Sequence, residues 1–171
     1  MSKLFFTILL FIPVFLFSQE PETKIHALEN PVMVEYLRNN LQKGHPRLGL
    51  TPQLIKKIRY EVENNEVVNN VFEAFKLNAT KILQQPLLER KLEGRRLLSI
   101  SREMLYRMNI LAMVYAIEQD EEILKRINQE IKQVCNFQDW NPSHFLDVAE
   151  MSLAVAIGID WTGEDLPKGT I

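Results

Sequence analysis

The chain has 171 residues, of which 46% are hydrophobic and 25% charged, and its formal net charge is -2 at pH 7. This composition is typical of one globular domain, which excludes a disordered or collagen-like chain, and the charge gives no basic field for nucleic acid. The single cysteine, Cys135, excludes an intramolecular disulfide and every zinc motif with several cysteines. We therefore expect a buried free thiol, no cofactor, no metal site and no nucleic-acid partner.

The first 18 residues predict a secretory signal peptide. Lys3 supplies a positive start, and residues 4–17 are apolar apart from Thr7. This run is shorter than the roughly 20 residues that span a bilayer, and the small residue Ser18 is a plausible cleavage point. We expect a periplasmic or secreted protein without a stable membrane span after cleavage; an uncleaved membrane anchor is the alternative.

Residues 19–44 are predicted to form an N-terminal extension with one short helix. Asn30 and Pro31 provide an N-cap and a proline in the first turn, and the helix is expected to run to about Leu41. The Gly-His-Pro-Arg sequence that follows breaks it. His45 lies in this break, and the sequence offers it no partner.

Five further helices are predicted after the break. The second helix is expected to begin at Thr51–Pro52, and the third follows Asn64–Asn65 and ends before the link that Pro86 opens. The remaining three are expected at about 95–118, 121–134 and 143–159. No stretch alternates between apolar and polar residues for long enough to indicate a strand. The predicted fold class is all-α.

The apolar patterns differ between helices and indicate an architecture. The fifth helix is amphipathic, with its charged residues, including Arg126 and Glu130, off the apolar stripe. The sixth helix and residues 109–117 of the fourth are apolar nearly all round, which predicts burial on all sides. Inner helices that alternate with amphipathic outer helices favour a two-layer array or toroid over a simple four-helix bundle.

A polar cluster lies at the start of the sixth helix. His144, Asp147 and Glu150 follow one another at intervals of three residues, which places them on adjoining turns of one face, and Trp140 and Asn141 come just before. Burial of such groups is costly unless they pair or face a cleft. The alternatives are a structural network, in which Asp147 pairs with His144 or an arginine and Glu150 with a basic residue of another helix, a ligand cleft, and a metal half-site that lacks a second histidine.

Four arginines lie near the start of the fourth helix: Arg95, Arg96, Arg102 and Arg107. Guanidinium groups bind carboxylate or sulfate in a bidentate manner, which suits an acidic sugar. The alternative is that these side chains are solvated or pair with nearby acids such as Glu93 and Glu103. Trp140 is available to stack on a sugar ring, or to fill the core.

Three segments resemble the N-terminal part of the heparinase II/III-like polysaccharide lyases: HPRLGLTP at 45–52, LSISRE at 98–103 and CNFQDWNPSHFLDVAEM at 135–151. The last segment is long and specific, and the resemblance covers about residues 45–166. It implies an (α/α) toroid and eliminative cleavage of acidic, uronate-containing polysaccharides.

The resemblance also implies a division of roles. β-Elimination needs a base, an acid and a group that neutralises the uronate carboxylate, and the Tyr and His that the family uses lie beyond the matched part. We therefore expect residues 45–171 to be the N-terminal portion of an incomplete toroid, with the catalytic groups downstream of Ile171. The residues expected to line or support the rim of the sugar cleft, by positioning rather than acid–base chemistry, are Trp140, Asn141, His144, Asp147 and Glu150.

A non-catalytic exported helical module, which binds acidic glycan or serves as a scaffold, is the competing interpretation. A helical repeat for protein partners is less favoured, because the sequence has no self-similarity at a fixed period.

Overall fold

The computed structural model describes residues 34–41 and 43–170. The chain divides between Asn40 and Leu41 into two units. The described part of the first unit is helix α1 (Val34–Asn40), which has no buried residue. The predicted start of this helix at Asn30 and Pro31, and the predicted signal peptide, lie outside the described residues.

The second unit contains five helices: α2 (Pro52–Asn64), α3 (Glu66–Gln84), α4 (Leu98–Glu118), α5 (Glu121–Cys135) and α6 (Phe145–Thr162). Among the described residues there is no strand beyond one isolated bridge between Glu93 and Arg96, so the predicted all-α class is confirmed. No helix in this part of the chain has the length and apolar character needed to cross a bilayer.

Side-chain caps explain where three helices begin. The Thr51 hydroxyl accepts a hydrogen bond from the Leu54 amide at 3.2 Å, and the side chains of Asn65 and Asp120 cap α3 and α5 in the same way. The start of α4 was predicted three residues too early, because residues 93–96 form a tight turn in which Gly94 has a φ of 62°.

Helix α4 lies at the centre of the core. Met104, Met108 and Leu111 are fully buried, and the prediction that residues 109–117 are enclosed is confirmed. Helix α6 packs closely on α4 at Gly158, where a Cβ atom would lie only 2.8 Å from the sulfur of Met108. Substitution of this glycine would therefore require the side chain of Met108 to shift.

Hydrogen bonds show that α4 and α6 are parallel. The Leu97 amide, just before α4, binds Asp147 in the first turn of α6 at 2.7 Å. At the other end the Tyr115 hydroxyl donates to Asp165, just after α6, at 2.8 Å. Helix α5 lies between them in sequence and returns antiparallel to α4 after a link of residues 119–120.

Two sequence predictions about burial are wrong. Helix α6 is not enclosed on all sides, because Phe145 is 83% exposed and Leu153 is 50% exposed. Cys135 is exposed rather than buried, since it ends α5 on the solvent side. The sequence analysis set Arg126 and Glu130 apart from the apolar stripe of α5, but both are buried beside it, because they pair with each other and Glu130 also pairs with Arg107.

Candidate functional site

Asp147 is an internal anchor at the start of α6. Its side chain is fully buried, and its Oδ2 atom accepts hydrogen bonds from the Leu97 amide and from the Asn141 amide nitrogen, both at 2.7 Å. The predicted structural alternative named His144 or an arginine as the partner of Asp147. The observed partners differ because the turn before α4 brings a backbone N–H to this carboxylate.

Asn141 joins the same junction from the loop between α5 and α6. Its φ of 59° lies in the left-handed region, which asparagine tolerates better than most residues. Its side-chain nitrogen also donates to the Arg95 carbonyl at 2.9 Å, and its Oδ1 atom accepts from the Ser143 hydroxyl at 2.9 Å. Asn141 and Asp147 therefore connect this loop to the start of α4, and neither side chain is open to solvent.

Glu150 and His144 lie nearer the surface. Glu150 binds the Arg102 side chain at 3.3 Å, as the structural alternative predicted. Its second oxygen, together with Asp147 Oδ1 and the Ser99 hydroxyl, is buried without a hydrogen-bond partner in the described structure. His144 occupies the N-cap position of α6, but its half-buried side chain makes no capping hydrogen bond.

Trp140 borders a depression of about 340 Å³ on the surface. The indole N–H donates to the Val134 carbonyl at 2.8 Å, which fixes the ring in place. Phe137, Pro142 and Val148 line the depression beside it. Of the five predicted site residues, Trp140 alone lines this depression, and the surface there is suited to the apolar face of a ring.

Two helix N-termini and several arginines lie at this end of the unit. The N-termini of the parallel helices α4 and α6 both lie here, and helix N-termini favour negative charge. Arg90 pairs with Asp139 at 2.6 Å, and the hydrogen bond from Arg90 holds the pKa of that carboxyl below its usual value. Arg95 and Arg96 are exposed, and within the described residues neither joins an ion pair.

Arg107 does not belong to this exposed group. It is 5% exposed and binds Glu103 at 2.8 Å, as the alternative predicted, and Glu130 at 2.6 Å. Burial opposes its charge, but the hydrogen bonds to the two carboxylates outweigh this and raise the pKa of Arg107. Arg107 is therefore a structural residue, whereas Arg95 and Arg96 are accessible to a ligand.

The sequence analysis missed a second polar cluster, which joins His45 and Asp160, two residues 115 positions apart along the chain. His45 Nδ1 lies 2.7 Å from Asp160 Oδ1, and the other oxygen of Asp160 accepts the Arg47 and Leu48 amides at 2.7 and 2.8 Å. His45 thus has a partner after all. No local pattern connects these segments, so a single sequence offered no signal for the contact.

Within residues 34–41 and 43–170, no group of three or more His, Cys, Asp or Glu side chains is arranged to hold a metal ion. No protein-family model matches the chain, and no curated protein matches its sequence.

Proposed function

We propose that this chain forms the N-terminal portion of the helical toroid of an exported polysaccharide lyase similar to heparinase II/III, which cleaves uronate-containing glycans by β-elimination. One observation carries the proposal: the three segments that resemble this family meet at α6. Asp160 holds the first segment, Glu150 binds Arg102 of the second, and the third contains the start of α6 itself. Residues that resemble one family therefore meet around one helix.

The arrangement of α4, α5 and α6 supports a toroid. In such a fold, inner helices run parallel to one another and outer helices return between them. Helices α4 and α6 are parallel and α5 is antiparallel to α4. Helix α5 buries a single stripe, while α4 is buried nearly all round. These features fit one inner–outer–inner unit.

The proposed glycan surface is the end of the unit that carries Trp140, Arg95 and Arg96. A pyranose ring would stack on the Trp140 side of the depression, while the two exposed guanidinium groups pair with uronate carboxylates. Asn141 and Asp147 would hold the loop that presents Trp140, and His144 and Glu150 would lie at its rim. The proposal gives this chain binding and positioning roles, because the base and acid of the family lie beyond the matched residues.

The chemistry explains why binding of the carboxylate matters. A β-elimination removes the proton next to the uronate carboxylate, so the carboxylate gains enolate-like charge, and the glycosidic oxygen leaves as it is protonated. Cationic donors fixed beside that carboxylate stabilise the developing charge. Arg95 and Arg96 carry fixed positive charge at neutral pH, which suits such a role.

The proposal is tested by the affinity for a uronate tetrasaccharide, measured by titration calorimetry. Replacement of both Arg95 and Arg96 by Ala is expected to weaken binding about tenfold, the equivalent of two exposed charge contacts of about 0.7 kcal/mol each. The matched control replaces Lys56 and Lys57, an exposed basic pair on α2, and should leave the affinity unchanged. Equal losses in both double variants would indicate attraction by net charge alone and would contradict the proposed surface.

A non-catalytic glycan-binding or scaffold module is the second candidate. It is favoured because both carboxylates of the cluster already have partners within the protein. Asp147 is buried and accepts two hydrogen bonds, and Glu150 pairs with Arg102. In a longer protein that includes the downstream Tyr and His segments implied by the resemblance, the ultraviolet absorbance of the unsaturated product formed from a uronate polymer distinguishes the two functions. A complete reading frame that lacks the Tyr and His segments of the family would favour the module.

A further inference from the structure

A cleft of about 420 Å³ opens at the opposite end of the second unit from Trp140. It lies beside the C-terminal ends of α4 and α6, and its walls also include the start of α2 and the segment with His45 and Pro46. Its volume falls in the range of small-molecule sites. The cleft contains none of the residues of the proposed uronate surface and none of the residues that the sequence predicted to contact a glycan.

The walls of this cleft are fixed by hydrogen bonds. Asp160 holds the segment that carries His45, as described above, and the Trp161 indole N–H donates to the Leu48 carbonyl at 2.8 Å. Arg59 of α2 donates to the carbonyls of Ala116 and Ile117 at 2.8 and 2.9 Å, which ties α2 to the end of α4. The cleft is therefore preformed, so a ligand would not have to order it.

The groups that remain available in the cleft are mainly acceptors. Glu164 and Asp165 both line it and are exposed, as is Gln119. The Tyr115 hydroxyl donates to Asp165 Oδ2, and its burial and this hydrogen bond both raise the pKa of Tyr115. Tyr115 therefore remains a donor at neutral pH, and it leaves the second oxygen of Asp165 for a ligand.

Two exposed carboxylates and two helix C-termini place negative charge at the cleft, beside the basic side chains of Arg59 and His45. The C-termini of two parallel helices carry partial negative charge, and the carboxylates of Glu164 and Asp165 add to it. Arg59 offsets part of this field, but two of its nitrogens already bind the α4 carbonyls. The Trp161 ring lines the same cleft and offers a face to a cation or to the C–H side of a sugar ring.

We propose that this cleft binds a sugar ring that carries an amine, with the ammonium group at Glu164 and Asp165 and the ring against Trp161. The hydroxyl groups of the sugar would pair with Gln119 and with the remaining N–H groups of Arg59. This site is separate from the uronate surface, so one protein would hold an acidic sugar beside Trp140 and an amino sugar beside Trp161.

The chain has two tryptophans, Trp140 and Trp161, one at each proposed site, so binding at each site can be measured separately by fluorescence. In the Trp140→Phe variant, the fluorescence of Trp161 is titrated with glucosamine, N-acetylglucosamine and glucuronate at low and high salt. Glucosamine should bind, N-acetylglucosamine should bind about tenfold more weakly because it lacks the charge, and glucuronate should not bind. Affinity for glucosamine should fall as salt rises.

Charge removal at the cleft identifies the carboxylates involved. Asp165→Asn keeps an acceptor for Tyr115, and Glu164→Gln keeps the size of the side chain; each should weaken glucosamine binding about threefold to fivefold. Glu63→Gln, at an exposed acid on α2, should have no effect. The proposal is overturned if Trp161 does not respond to glucosamine, if glucuronate binds as well, or if methylamine alone binds as tightly as the sugar. Thermal melting of each variant verifies that it is folded, and uronate binding is measured separately in protein that retains Trp140.

Discussion

Replacement of Asp147 by Ala measures how much the buried junction between α4 and α6 contributes to stability. The substitution removes the acceptor of two N–H groups, the backbone amide of Leu97 and one N–H of the Asn141 side chain, in residues that are 0% and 7% exposed. Each buried donor that loses its partner costs about 1–3 kcal/mol. We expect the free energy of unfolding to fall by about 3 kcal/mol, measured by urea denaturation followed by circular dichroism.

Asp147→Asn is the informative companion, because both hydrogen bonds converge on the single atom Oδ2. A carboxamide oxygen at that position preserves both bonds, so the loss should be about 1 kcal/mol or less. Ser152→Ala, at an exposed position on the same helix, should change stability by no more than about 0.5 kcal/mol. If Asp147→Ala is as stable as Ser152→Ala, the junction is not an anchor; if Asp147→Asn is as unstable as Asp147→Ala, the charge and not the pair of hydrogen bonds matters.

Three other predictions follow from buried or capping side chains. Glu130→Ala should reduce the free energy of unfolding by about 3–5 kcal/mol, because it leaves Arg107 and Arg126 buried without their shared carboxylate; a loss below about 1 kcal/mol in urea would contradict this. Burial opposes the charge of Asp160, but hydrogen bonds from two amides and His45 outweigh this and lower its pKa below the usual value of 3.8. The ionised carboxylate therefore stabilises the fold above about pH 4, and this stabilisation is lost as the pH falls through the lowered pKa. The thermal midpoint should therefore decline below about pH 4 and decline less in Asp160→Asn; equal slopes would show that other groups dominate. His144→Ala should weaken uronate binding while changing the melting temperature little, since its side chain makes no capping bond; the reverse pattern would make His144 purely structural.

Features that depend only on neighbouring residues along the chain could be predicted from the sequence. Thr51 followed by Pro52 predicted the start of α2, and the apolar stripe of α5 predicted the hydrophobic residues that this helix contributes to the core. These features are local, because capping and helical periodicity act within four or five residues. The all-α class followed from them directly.

Features that depend on distant contacts were not accessible in the same way. The contact between His45 and Asp160 joins residues 115 positions apart, and nothing near either residue indicates the other. The exposure of Phe145 and Leu153 could not be read from an all-round apolar helix, because the pattern gives hydrophobicity but not which neighbours cover it. The burial of Glu130 was likewise not predicted, because its two arginine partners are identified only in the folded chain.

The predicted site was resolved into parts with different roles. Trp140 borders a surface depression, whereas Asn141 and Asp147, from the same short segment, are buried in hydrogen bonds. Spacing alone groups these residues on adjoining turns, but it cannot tell a side chain that binds a ligand from one that supports it. Arg95 and Arg107 illustrate the same point, because one is exposed and the other is enclosed by two carboxylates.

The central claim is that the end of the second unit that carries Trp140 binds uronate glycans. The most direct test is a two-dimensional proton–nitrogen NMR spectrum, in which the indole N–H groups of Trp140 and Trp161 give two separate signals. Addition of a uronate tetrasaccharide should shift the Trp140 signal, along with amides at residues 95–96, and leave the Trp161 signal in place. A spectrum in which neither indole moves, or in which only Trp161 moves, would contradict the account.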